Sequence, residues 1–365
     1  MSAEGIKKEP LVRIAKRPEL TKKKAALVKF SSIIMALFIG GLLILILGHN
    51  PFAVYADMVK GSLIGKISLT ATAKIAVPLL GAALAIAPAF KMKFWNCGAE
   101  GQITVGAIAA TYFALYQYQN LPRPVLIVVM FVSAAIIGGF WGLIPAFFKA
   151  KWGTNETLFT LMLNYIAIGC VKYLRLGPWM EQGQMFPKIA MFKPEARLPD
   201  VFGVHIGWIM VLVLVFVIYI YMTKTKHGYE IAVVGESIST ARYSGMNVKN
   251  IIMRTMFLSG AIAGTVGCML VSGSNYTLSD GVANGYGFTA IVVAWLAKLN
   301  PFVMVFISVF LAVLKKGANT IQTDFGIPAS ASDVLTGLIL LSMLASEFFI
   351  NYRLVFRSKN KEVAK

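Results

Sequence analysis

The sequence predicts an all-α polytopic membrane protein of about ten transmembrane helices in two inverted five-helix repeats, with both termini cytosolic. Three observations predict it. Of 365 residues, 57% are hydrophobic and 14% charged, against about a quarter charged in soluble domains. Apolar runs of roughly 20 residues, the length that crosses a hydrocarbon core, recur along the chain. The basic residues crowd into alternate connecting segments, as the positive-inside rule requires. A formal charge of +19 would also suit nucleic acid. Its position beside the apolar runs assigns it instead to cytosolic edges and anionic lipid headgroups, so membrane lipid is an expected partner and nucleic acid is not.

The first run, Phe30 to Gly48, follows nine basic residues that include Lys22, Lys23 and Lys24. That density holds the amino terminus in the cytosol, and the long basic region without a small-residue cleavage site after Gly48 marks a retained span rather than a signal peptide. Leu69 to Phe90, Ile103 to Tyr118 and Val125 to Phe148 are clean apolar runs, and Thr157 to Leu176 follows a cap at Thr154 or Asn155. Ile206 to Met222 is the sixth. The seventh, Ile251 to Ser272, carries Gly260 and Gly264 one turn apart, a spacing repeated at Gly138 and Gly142 that lets helices approach closely. Gly287 to Ala297 is short, Pro301 to Thr320 contains Lys315 and Lys316, and Ser332 to Ile350 is the tenth. Under alternation the cytosolic segments hold 24 Lys plus Arg and the external ones 9, with Lys315 and Lys316 unassigned. The organisation is then a basic cytosolic tail (1–29), a transmembrane domain (30–350) with a cytosolic loop at 223–250, and a basic cytosolic tail (351–365).

Internal similarity supports the repeats. Gly285 to Ala290 resembles the Gly-rich start of the third span, and Phe148-Lys149-Ala150-Lys151 resembles Leu314-Lys315-Lys316-Gly317. An odd number of spans per repeat inverts the second half and places a path at the interface between halves. Lys315 and Lys316 would then lie toward the outside, snorkelling or lining that path.

Conventional enzymes are excluded. The nearest approach to GxxxxGK[ST], Gly61 to Ile67, has the wrong glycine spacing, so this chain does not hydrolyse ATP. HExxH and GxSxG are absent. Cys97, Cys170 and Cys268 lack a ligand spacing, and His49, His205 and His227 are scattered, so neither a metal nor a bound cofactor is expected.

Three polar segments carry the remaining information. Phe94 to Gln102, with Asn96, Glu100 and Gln102, interrupts the apolar pattern and reads either as irregular backbone lining a path, with free helix-start amides for a ligand, or as a cytosolic turn. In Lys151 to Ala167, Asn155 and Glu156 open a span, and Asn164, next to Tyr165, lies two turns deeper and needs a partner in the bundle or a substrate. In the cytosolic loop, Gly235 to Gly245 reads as one surface helix of two to three turns, started near Glu236 and ended by Gly245, with Ala241 and Arg242 within it.

These segments resemble the permease subunits of nucleoside-importing ABC transporters, in the broad family that holds branched-chain amino acid and simple-sugar permeases. The family's Asn-Ile-Gly-x-Glu-Gly-Gln element matches Asn96 to Gln102, its Asn-Glu…Met-x-Asn-Tyr-Ile-Ala element matches Asn155 to Ala167, and its Gly-Phe-x-x-Ile-Ala-Val-Ala element matches Gly287 to Ala294. Cys97, Val292 and Trp295 depart mildly from it.

The resemblance implies ATP-binding subunits that hold ATP and Mg, a second permease subunit (homologous or identical) and an external solute-binding lipoprotein, in a bacterial plasma membrane. It implies substrate-path roles for Asn96, Glu100, Gln102, Asn155, Glu156, Asn164, Tyr165 and Phe288. Coupling to the ATPase would fall to Gly235, Glu236, Ala241, Arg242 and Gly245. Sugar or branched-chain amino acid transport is the near alternative. A cassette-independent channel or carrier using Lys74, Asp333 or Glu347 is the distant one.

Overall fold

The computed structural model describes residues 12–16, 21–183 and 185–356. The chain divides into two compact units, one of residues 1–57 and 321–365 and one of residues 58–320.

In the first unit, α1 (Lys22–Ile46) and α13 (Ala329–Asn351) pack together, and β1 (Val12–Lys16) pairs antiparallel with β4 (Tyr352–Phe356), Ile14 opposite Leu354. The sequence reading treated both tails as plain basic extensions. The strand pairing within them depends on a partner more than 300 positions away in the chain, which local composition does not reveal. Gly48 takes a left-handed φ of 84° after α1, and the apolar stretch Phe30–Ile46 continues through Pro51–Leu63 (α2) across a bend of 112°.

The second unit is built around α3 (Lys66–Lys91) and α10 (Val248–Met269), the most buried of its long helices. Around them stand α4 (Ala99–Tyr116), α5 (Arg123–Trp152), α6 (Glu156–Leu176), α7 (Gly207–Lys224) and the short α11 (Tyr286–Leu296). Helix α12 (Pro301–Phe325) completes the apolar set. Burial of α10 follows from its small residues. A Cβ at Gly264 would overlap the Ala134 carbonyl of α5, and one at Gly260 would overlap the Gly138 carbonyl. The Gly106 backbone of α4 meets Gly264 from the other side. The glycine spacing therefore marks a three-helix seam with backbone in contact, as the sequence reading expected. Helix α5 ends where Gly153 adopts a left-handed φ of 67° and its N–H reaches the Lys149 carbonyl at 3.0 Å.

At one end of this unit, β2 (Asp200–Val201) and β3 (Val204–His205) form a hairpin whose turn residues Phe202 and Gly203 both have positive φ. At the other, α8 (Lys226–Glu236) and α9 (Ile238–Tyr243) sit beneath α3 and α10.

Seven helices among the described residues are long and apolar enough to cross a membrane, or eight if the bent α1–α2 stretch is one span. The protein is a mostly helical multi-span membrane protein. Of the ten expected spans, the first falls in that bent stretch, those in α4 and α11 fall outside both counts, and α11 has only 11 residues. The expected single surface helix at Gly235 to Gly245 is corrected. Glu236 ends α8, Ser237 leaves the helical conformation and caps the next helix by accepting from the Thr240 N–H at 3.2 Å, and α9 has only six residues.

Candidate functional site

The segment from Phe94 to Gln102 breaks the helical ladder between α3 and α4. Its polar side chains point inward, where each must find a partner. Asn96, completely buried, donates through Nδ2 to Ser259 Oγ at 3.0 Å and to Gln102 Oε1 at 3.2 Å, and its Oδ1 accepts from the Gly98 N–H at 3.0 Å. Asn164 of α6 reaches the same segment. Its Oδ1 accepts from the Gly101 N–H at 2.8 Å and its Nδ2 donates to the Cys97 carbonyl at 2.9 Å. Thr160, one turn earlier, accepts from the Cys97 N–H at 3.2 Å. Helices α6 and α10 are both tied to the start of α4 and the segment before it.

Glu100 is buried and crosses to α11. Its two carboxylate oxygens accept from the Gly285 and Gly287 N–H groups, both at 2.8 Å. A carboxylate at a helix start satisfies orphan amides and complements the dipole there. Gly287 is required by this approach, because a Cβ would overlap the Glu100 backbone. Lys315 lies nearby, donating to the Asn284 carbonyl at 3.1 Å with its ammonium 4.7 Å from the centre of the Tyr286 ring. Of the amides that the start of α4 was expected to offer a ligand, that of Gly101 is occupied by Asn164.

The side chains of the other expected path residues take no part in these hydrogen bonds. Asn155 caps α6, accepting from the Thr157 and Leu158 N–H groups at 3.1 and 3.2 Å. Glu156 pairs with Lys149 at 2.7 Å. Tyr165 is 71% exposed on the outer face of α6, and Phe288 is exposed on α11. Two turns along α11 from Phe288, Trp295 stacks on Trp95 with ring centres 5.4 Å apart and planes within 6°. Both tryptophans are partly open, so the pair presents a flat aromatic face. Their contact, like Ser259 as the partner of Asn96, joins distant segments and leaves no spacing signal.

Among the expected coupling residues, Ala241 is buried in a cluster with Ala89, Met92, Ile231, Val234, Val248 and Met256. Gly235 packs against the Lys91 carbonyl, and Gly245 turns the chain at a φ of 76°. Glu236 and Arg242 face outward, as do Ile238 and the almost fully exposed Tyr243. No group of metal-ligating side chains occurs among the described residues. His205 is fully buried, with neither ring nitrogen hydrogen-bonded among the described residues, and burial pushes its pKa down to about 4.

The family described as branched-chain amino acid transport system / permease component matches residues 68–344, most of the chain and all of the site above. This chain belongs to that family. The permease is 34% identical to the glucose ABC transporter permease protein TsgB13 of Haloferax volcanii, over 88% of each chain. It is 30% identical to the guanosine ABC transporter permease protein NupP of Bacillus subtilis, over 89% of this chain and 94% of that one. It is 29% identical to the nucleoside ABC transporter permease protein NupB of Lactococcus lactis subsp. cremoris, over 91% and 94%. It is a membrane-embedded permease subunit of an ABC transporter.

Proposed function

We propose that this permease translocates nucleosides, purine nucleosides foremost, as the membrane subunit of an ATP-driven importer in the plasma membrane of a bacterium. The observation that carries the reading is that a guanosine permease and a nucleoside permease align with it almost end to end. The open aromatic faces of Phe288, Trp95 and Trp295 support it, since a base needs flat apolar surface against which to stack. The glucose permease among its relatives favours simple-sugar transport as the second reading. Competition separates them: unlabelled guanosine is expected to suppress labelled guanosine uptake at concentrations where glucose and leucine do not, and saturable uptake of labelled glucose that guanosine does not suppress would establish the sugar reading.

In this reading the chain catalyses no reaction. Cytosolic ATP-binding subunits hold ATP and Mg and hydrolyse it, a second permease subunit completes the membrane domain, and an external solute-binding lipoprotein delivers solute. The polar hub of Asn96, Glu100, Gln102 and Asn164 acts by fixing the start of α4 against α6 and α11, so that the path walls move as units. Asn155 and Glu156 hold the start of α6 in the same way, and Tyr165 and Phe288 supply surface.

Helix α9 is the contact to the ATPase. Ala241 seats it on the bundle, while Arg242 and Tyr243 face the partner. Tyr243→Ala is expected to leave the melting temperature of the purified permease unchanged, because the ring is 95% exposed, and to lower substrate-stimulated ATP hydrolysis by the assembled complex severalfold, as the loss of an exposed aromatic anchor does. Full stimulation by this variant would remove α9 from the contact.

A further inference from the structure

The end of the second unit opposite α8 and α9 holds a cavity of about 210 Å³ that the transport reading has not used. Lys74 of α3, Ser274 and Asn275 of a π-helical turn (Leu270–Asn275), and Asn284 and Tyr286 at the start of α11 line it. Each wall is irregular or costly. Lys74 sits two turns inside an apolar helix and forms no ion pair among the described residues. The π turn continues α10 directly and ends that helix. The loop between the two walls starts and ends on non-glycine residues in the left-handed region, Tyr276 (φ 55°) and Asn284 (φ 45°), a strain that persists only where surrounding contacts impose it.

Those contacts are present. Arg175 binds both oxygens of Asp280 at 3.0 and 2.9 Å, Phe192 N–H donates to the Tyr276 carbonyl at 2.8 Å, and Leu198 N–H donates to the Ser272 carbonyl at 2.9 Å. The cavity is therefore pre-formed. Within it, Ser274 Oγ is buried without a hydrogen-bond partner among the described residues.

The lining selects a ligand class. Two carboxamides and two hydroxyls can each both donate and accept, with Asn284 and Tyr286 bonded to one another, and an ammonium adds three donors. A ring hydroxyl likewise donates and accepts, so a vicinal diol matches this set. No carboxylate lines the cavity to attract a cation. The volume is below the roughly 300–1,000 Å³ that encloses a drug-sized ligand, which suits one ring rather than a whole nucleoside.

We propose that this cavity holds the hydroxylated ring of the transported solute, with Lys74, Ser274, Asn275 and Asn284 bonding its hydroxyls. The proposal rests on the reading that the solute is a nucleoside or a sugar, and both of those carry such a ring.

The test compares initial uptake of tritiated guanosine and 2′,3′-dideoxyguanosine by cells expressing the full transporter with wild-type permease, Lys74→Met or Asn275→Ala. The rest of the transporter is common to all, so its own discrimination cancels between variant and wild type. The variants are expected to lose roughly three- to tenfold of the preference for guanosine, the size of one lost hydrogen bond, while dideoxyguanosine uptake stays near wild type and shows that they fold. An unchanged preference, or an equal loss for both solutes, overturns the pocket alone. Wild-type uptake of glucose but not guanosine overturns the nucleoside reading, and the same loss of preference for glucose over 2-deoxyglucose then supports the pocket. Wild-type uptake of neither solute overturns both.

Discussion

Glu100→Ala is expected to abolish uptake and to lower the melting temperature of the permease in detergent. The carboxylate is buried and accepts two backbone N–H groups across the gap between α4 and α11. Removing it leaves the Gly285 and Gly287 amides bare, at about 1–3 kcal/mol each, and removes a negative charge beside Lys315. The chain entering α11 also carries Asn284 and Tyr286, so the cavity wall and the Phe288 surface shift with it. Glu100→Gln keeps one carbonyl oxygen for one amide and should fall between the two. Normal uptake and melting in Glu100→Ala would show that the clamp is dispensable.

The second large effect is at the helix seam. Gly264→Val places two methyl groups where Ala134 and Gly138 of α5 and Gly106 of α4 already lie in backbone contact. Rigid backbone cannot move aside as the end of a side chain can, so α10 must separate from both neighbours. Overpacking costs typically about 1–3 kcal/mol, and rigid backbone on two sides puts this variant at the upper end. The expected result is loss of monodisperse protein on size-exclusion chromatography, with Gly169→Val as the control, since no atom lies within reach of a Cβ at Gly169. Equal yields from the two variants would mean that the seam tolerates separation.

How much of this the sequence disclosed follows from the range of each signal. Long apolar runs are summed over about twenty residues, so the spans of α3, α5, α7 and α10 were legible at nearly their observed limits. Glycines one turn apart marked the seam because close backbone approach needs them. The helix break at Ser237 was not legible, since Ser237, Ser239 and Thr240 are all residues that can cap a helix and only the Ser237 hydroxyl accepting from the Thr240 N–H shows which one restarts it. The polar residues of the hub stood out by type, Asn and Glu among apolar neighbours. Their partners did not, because Ser259, Thr160 and the Gly285 and Gly287 amides are joined to them only by folding. The cavity around Lys74 was invisible for the same reason: five of its lining side chains come from three separate segments.

The central claim is ATP-driven nucleoside import through this chain, and reconstitution tests it most directly. The permease is purified with its ATP-binding subunits and placed in liposomes with the solute-binding protein outside and Mg-ATP inside, and labelled guanosine is added outside. The account predicts guanosine accumulation that requires internal ATP and is lost with Glu100→Ala. Equal guanosine flux with and without ATP, or ATP-dependent transport of glucose that guanosine does not compete, would contradict it.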